Sequence, residues 1–226
     1  MKRIILSLGC VFFLMATSSA SAGQKEERGG LYEIKRDGKI GFINRSGKEV
    51  ISPRFDDVRG RFIEGMARIQ VKDLWGFINK AGTVVVAPVY EDCDDFTEGL
   101  ARVRIKKKWG FVDKAGRVRI PLEYEDAGNF SGGVARVRYN DRWGFVDAKG
   151  KKVVPLQYED ADDFSEGLGR VRKDDKWGYV NKSGALVIKA TFDSADQFAD
   201  GLALVEKDRK RGYIDRTGRF VWGPEK

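Results

Sequence analysis

The sequence predicts an all-β fold built from six tandem repeats of about 34 residues, each of about three short antiparallel strands. Three observations lead there. Phe62, Phe96, Phe130, Phe164 and Phe198 recur at a fixed interval, as do Gly76, Gly110, Gly144, Gly178 and Gly212, each glycine followed by Phe or Tyr. Such self-similarity is the signature of a repeat architecture. Within a repeat, Ala101, Val103 and Ile105 alternate with Arg102 and Arg104. A period of two belongs to strands, and it decides against the helical repeats that share the same length. Finally, Asp or Asn stands three residues before Gly at 44–47, 79–82, 113–116, 147–150, 181–184 and 215–218. That spacing is the preference of a type I turn closed by a glycine bulge.

The elements follow in order. The alternating segment makes the first strand, and a tight turn follows it at Asp37-Gly38 and Asn140-Asp141. Trp109, Phe111 and Val112 are strand formers and make the second strand. After the Asp113–Gly116 turn comes a third, such as Val84–Val86 or Lys152–Val154. An acidic link closes the unit, as in Tyr158-Glu159-Asp160-Ala161-Asp162-Asp163, with room for one helical turn. The repeats run about 30–61, 62–95, 96–129, 130–163, 164–197 and 198–226, with no Pro/Gly/Ser linker between them, so residues 30–226 form one domain. The first copy is looser, with Ile40-Gly41-Phe42 and one extra residue between Phe55 and Phe62, and the last carries Arg211 in place of tryptophan. Irregular outer copies are what capping repeats look like. The expected assembly is an elongated twisted array, with a closed six-bladed propeller-like ring as the alternative. The array is preferred because blades have four strands where these units offer three.

Trp75-Gly76-Phe77-Ile78-Asn79-Lys80-Ala81-Gly82, with its relatives at Trp109-Gly110, Trp143-Gly144 and Trp177-Gly178, resembles the WG (KWG) repeat of bacterial proteins. The Glu-Gly-Leu-Ala-x-Val and Tyr-Glu-Asp-Ala segments fit the same pattern, and departures lie at Ile40, Gly132 and Arg211. The resemblance implies a β-rich module with no general enzymatic activity, an interaction role and no catalytic residue to carry over.

Composition narrows the chemistry. The 226 residues include 42 Lys+Arg, 34 Asp+Glu, two cysteines and no histidine. The missing histidine excludes His-based triads, imidazole zinc sites and histidine phosphotransfer. Lys2-Arg3, an apolar run over 4–16 and Ala20-x-Ala22 read as a secretory signal over 1–22, leaving a short segment 23–29 before the repeats. The expected destination is periplasmic or extracellular, with no membrane span in the mature form. Cleavage removes Lys2, Arg3 and no acid, lowering the formal net charge from +8 to +6. It also removes Cys10, so Cys93 stands alone, flanked by carboxylates and expected to be a small buried filler.

Two rows of repeated residues are candidates for binding. Four tryptophans at one structural position read as core residues, the adjacent glycine marking a close backbone approach; an exposed aromatic strip for sugar rings is the alternative. Arg68, Arg102, Arg104, Arg136, Arg138, Arg170 and Arg172 occupy the outward phase of the first strand in four consecutive repeats. Stacked repeats would align them into a ladder for carboxylates or phosphates, unless the Glu-Asp groups pair with them internally. The acidic links lack the spaced D-x-D-x-D-G of a calcium loop. Carboxylates that recur in every repeat do not make the unique constellation of an active site, so the expectation is no enzyme, metal or cofactor. Basic residues interspersed with acids, in an exported chain, argue against nucleic acid despite a pI near 9.4. The expected function is binding of a protein or an anionic envelope polymer, with a carbohydrate-binding module as the alternative.

Overall fold

The computed structural model describes residues 30–223. The secretory signal expected over 1–22 and the 23–29 segment lie outside the described residues, as do the last three. Among the described residues every regular element is a β-strand, and the strands gather into six antiparallel sheets in chain order. The first sheet has three strands, Leu31–Arg36, Lys39–Asn44 and Glu49–Phe55; each later sheet has four. The third sheet shows the pattern: Asp92–Cys93, Leu100–Ile105, Lys108–Asp113 and Val118–Tyr124, laid side by side as a meander.

The additional strand refines the expectation of about three per repeat. In four of the sheets it is a two-residue piece of the acidic link, such as Asp126–Ala127, which pairs with Arg138 and Val137 of the next strand. No helical turn forms in these links. The aspartate side chain caps its neighbour, since Ala127 N–H donates to Asp126 Oδ1 at 2.8 Å. A strand this short has no readable period. In the second sheet the corresponding strand, Asp57–Ile63, is longer and bulged around Gly60, where the extra residue of the first copy falls.

The turns are as the sequence predicts. Gly116 N–H donates to Asp113 O at 2.9 Å, and Asp113 Oδ1 accepts from the N–H groups of Ala115 and Arg117. Gly116 sits at φ +77°, a conformation that only glycine adopts without cost. The glycine of Trp-Gly answers to a different demand. The third strand shifts register beside it and passes close over it. A Cβ on Gly110 would lie 2.6 Å from Ile120 O and 2.8 Å from Leu122 N, and the same overlap recurs at Gly76, Gly144 and Gly178.

The core is divided among five interfaces, each between one sheet and the next. In the third, Phe111, Ile120 and Tyr124 of one sheet pack on Ala127, Phe130, Ala135, Val137 and Val146 of its successor. The recurring phenylalanine sets an edge-to-face contact across each junction, Phe77–Phe96, Phe111–Phe130 and Phe145–Phe164 with centroids 4.8–5.0 Å apart. Aromatic pairs in this geometry add about 0.5–1.5 kcal/mol beyond the area they bury. Among the described residues, neither a strand pairing nor a core cluster joins the first sheet to the last.

Candidate interaction surface

The seven arginines form two rows with different environments. Arg68, Arg102, Arg136 and Arg170 each point across the junction to the following sheet. Arg68 donates to Cys93 O at 3.1 Å and Arg136 to Ala161 O at 2.7 Å; Arg102 and Arg170 reach Ala127 O and Ala195 O in the same way. Carboxylates of the acidic links lie alongside. Arg68 Nε is 2.9 Å from Asp95, Arg136 Nε is 3.0 Å from Asp163, and Arg102 and Arg170 pair with Asp94 and Asp162. Burial pushes the Asp95 and Asp163 carboxyls up, opposed by the guanidinium beside each. These side chains are 16–28% exposed, and they staple repeat to repeat.

Arg104, Arg138 and Arg172 form the second row. Their side chains are 35–38% exposed, and most of their ion pairs are looser, with Arg104 at 3.4 Å from Asp92 and Arg138 at 3.7 Å from Glu125. Pairs of that kind contribute about 0–1 kcal/mol. Arg172 also pairs closely with Asp175, and Arg104 and Arg138 lie 5.1 and 5.9 Å from the Trp109 and Trp143 centroids. The row offers three guanidinium groups at one position in three consecutive sheets, with ion-pair partners in their own sheet rather than across a junction.

The four tryptophans of the Trp-Gly pairs are core residues. Trp75, Trp109 and Trp143 are 4–8% exposed, and Trp177 is half-buried. Arginines roof the rings. Arg102 lies 4.2 Å from the centroid of Trp109, Arg136 5.1 Å from Trp143, Arg170 4.2 Å from Trp177, and Arg59 4.3 Å from Trp75. This arrangement leaves the tryptophan faces no room to serve as a sugar platform. Cys93 is buried, and burial raises its thiol to about 12.

Two sets of glutamates hold the repeats in ways the sequence reading missed. Glu91 accepts N–H bonds from Lys106 and Lys107, Glu125 from Asn140 and Asp141, and Glu159 from Asp174 and Asp175. These turn residues all have positive φ, so the carboxylate stabilises a turn that carries no glycine. The N–H bonds hold Glu91 and Glu125 below the usual carboxylate range. Glu64, Glu98 and Glu166 instead reach the equivalent loop of the next repeat, at Gly99, Gly132 and Gly133, and Gly201. The signal was present as the invariant spacing of Tyr-Glu-Asp and Glu-Gly; the destination of each side chain was not. Gly132 lacks this carboxylate, and Lys182 lies beside it.

One cavity of about 250 Å³ lies at the first junction, lined by Leu31, Glu33, Phe42, Gly60, Arg61 and Phe62 among others. Among the described residues, no group of three or more His, Cys, Asp or Glu side chains is placed to hold a metal ion, and no helix is long and apolar enough to cross a membrane.

The structure is similar to a crystal structure of the eukaryotic initiation factor, at 11% identity and a TM-score of 0.53, over 84% of this chain and 62% of that one. This chain thus spans less than two thirds of that protein, and the likeness is one of fold, a propeller-like succession of antiparallel sheets. Weaker likenesses are to Kluyveromyces lactis Hsv2, at 10% identity and TM-score 0.45 over 83% of this chain and 71% of that one, and to a protein of unknown function from Bacteroides caccae, at 15% and 0.31 over 82% and 89%. No match was found among curated proteins. The model of the WG containing repeat matches five consecutive segments, 40–75, 75–109, 109–143, 143–177 and 177–210. With tandem Trp-Gly units covering well over half its length, the chain belongs to the WG containing repeat family.

Proposed function

We propose that this is an exported, non-catalytic interaction protein that engages a protein or an anionic envelope polymer through the outer arginine row of its repeat surface. The observation that carries the reading is the contrast between the rows: Arg104, Arg138 and Arg172 recur in register, more exposed and with mostly loose ion pairs inside their own sheet, while the inner row is consumed in holding the repeats together. Guanidinium groups at a regular interval suit a partner that presents carboxylates or phosphates in series. Export is supported by Lys2-Arg3, the apolar run and Ala20-x-Ala22. The repetition of every polar group in the array supports binding over catalysis, which uses a unique constellation.

The test is capture from bacterial envelope extract by immobilised residues 23–226 at low and high salt. An arginine-mediated partner is retained at low salt and released at high salt, because screening weakens exposed charge pairs. Glycan retained at both salt concentrations would replace this reading with the carbohydrate-binding one. N-terminal sequencing of the exported product is expected to begin at Gly23.

A further inference from the structure

The five internal junctions are built from one pair of complementary faces. The leading face of each sheet carries an aromatic and a β-branched residue, Phe77 with Val86, Phe111 with Ile120, Phe145 with Val154 and Tyr179 with Ile188. The trailing face of the following sheet carries a small residue and two β-branched ones, such as Ala101, Val103 and Val112, or Ala203, Val205 and Ile214. Each leading face is covered by the next trailing face, which leaves one of each uncovered at the ends of the row.

The uncovered leading face belongs to the last sheet, where Leu202, Tyr213 and Trp222 occupy the positions of Leu100, Phe111 and Ile120. Those internal residues are at most 6% exposed; Leu202, Tyr213 and Trp222 are 38%, 40% and 54% exposed. Tyr213 and Trp222 are a cross-strand pair with ring centroids 6.1 Å apart, so they form one patch. The uncovered trailing face belongs to the first sheet. Tyr32, Ile34 and Ile43 occupy the positions of Ala101, Val103 and Val112, with Tyr32 paired to Ile43 and 42% exposed. Tyr32 also supplies a ring where one is needed. At internal junctions a phenylalanine N-terminal to the trailing strand packs edge-to-face on the leading aromatic, and residues 23–30 contain none.

We propose that the occupant of each end is a second copy of this chain, docked head to tail, with the first sheet of one copy covering the last sheet of the other. The contact continues the interface already repeated five times within the chain. It pairs Tyr32, Ile34 and Ile43 of one copy with Leu202, Tyr213 and Trp222 of its partner, and the Arg211–Glu206 pair, at 3.1 Å, lies on the same leading face. Such an interface is heterologous and leaves a free end after every addition, so the assembly grows beyond a dimer.

Analytical ultracentrifugation of the purified protein over a concentration series tests this, together with Tyr32→Glu and Trp222→Glu. Both positions are exposed, and each variant is expected to melt like the parent at dilutions where the parent is monomeric, association adding stability to the parent alone as concentration rises. The parent is expected to gain mass with concentration past the dimer, and each variant alone to stay monomeric. An equimolar mixture is expected to form a 1:1 dimer and nothing larger, because each variant keeps the end the other has lost. A parent that is monomeric throughout, covered in cis or closed on itself, would overturn the proposal. So would a dimer persisting in either variant alone, which marks a two-fold contact, or a mixture that fails to associate.

Discussion

Gly144→Ala isolates the reason for the second letter of the Trp-Gly motif. A Cβ at this position would stand 2.6 Å from Val154 O, 2.7 Å from Pro155 O and 2.8 Å from Pro155 C. All three obstacles are backbone, and the strand that carries them is tied by pairs at Phe145–Val154 and Trp143–Tyr158 on either side. Restoring ordinary contact requires that strand to retreat by roughly half an ångström or more, and overpacking of this kind costs about 1–3 kcal/mol. Because nothing flexible can yield, the upper end applies, about 3 kcal/mol. For a domain of this size each kcal/mol lowers the melting temperature by about 2–4 °C, so the expected loss is about 6–12 °C. Gly99→Ala is the control. Gly99 has φ +83° and open space where a Cβ would go, so alanine there meets only the left-handed backbone cost, about 1–2 kcal/mol. Thermal unfolding followed by circular dichroism reads both. Equal losses at the two sites would refute the claim that strand crossing, rather than backbone conformation, selects glycine after tryptophan.

Other perturbations read other parts of the account. Trp109→Ala removes a side chain 8% exposed from the third interface and is expected to cost about 3–5 kcal/mol; wild-type melting would show the ring is not core. Among the described residues seven carboxyls are held low, including Glu91 and Glu125, against three raised by burial, Glu33, Asp95 and Asp163. A lowered group contributes stability above the ordinary carboxylate range and loses it as pH falls through the folded value. Melting is therefore expected to hold from pH 8 to 6 and to fall below about pH 5, less steeply in Glu125→Gln; a curve that rises toward acid would contradict this. Cys93, its thiol pushed up to about 12 and its side chain buried, is expected to resist a thiol reagent at pH 8 until the chain unfolds; rapid quantitative labelling of the folded protein would overturn that.

Features set by neighbours in sequence were legible in advance. The alternation of Ala101, Val103 and Ile105 fixes which face of a strand is buried, and Asp113 with Gly116 fixes a turn through bonds spanning four residues or fewer. The burial of tryptophan followed from its size and from the glycine beside it. What stayed hidden depends on the next repeat. Arg136 and Arg138 are indistinguishable in the chain, yet one reaches Ala161 O, 25 residues on, and the other stays near Glu125 and Asp141. Asp126–Ala127 becomes a strand only because a hairpin edge is there to receive it. With that strand the unit reaches the four of a propeller blade, so strand count no longer separates the row from the ring. The uncovered faces at Tyr32 and Trp222 now carry that distinction.

The division of labour between the arginine rows is the claim on which the function rests. It is tested most directly by measuring melting and envelope-extract capture side by side for Arg136→Ala and for the triple variant Arg104→Gln, Arg138→Gln, Arg172→Gln. Losing a charged hydrogen bond and its ion pair, Arg136→Ala is expected to cost about 2 kcal/mol, or about 4–8 °C, and to keep capture below its melting temperature. The triple variant is expected to fold and to lose the salt-sensitive capture. Capture at the parent level by the folded triple variant would contradict the account.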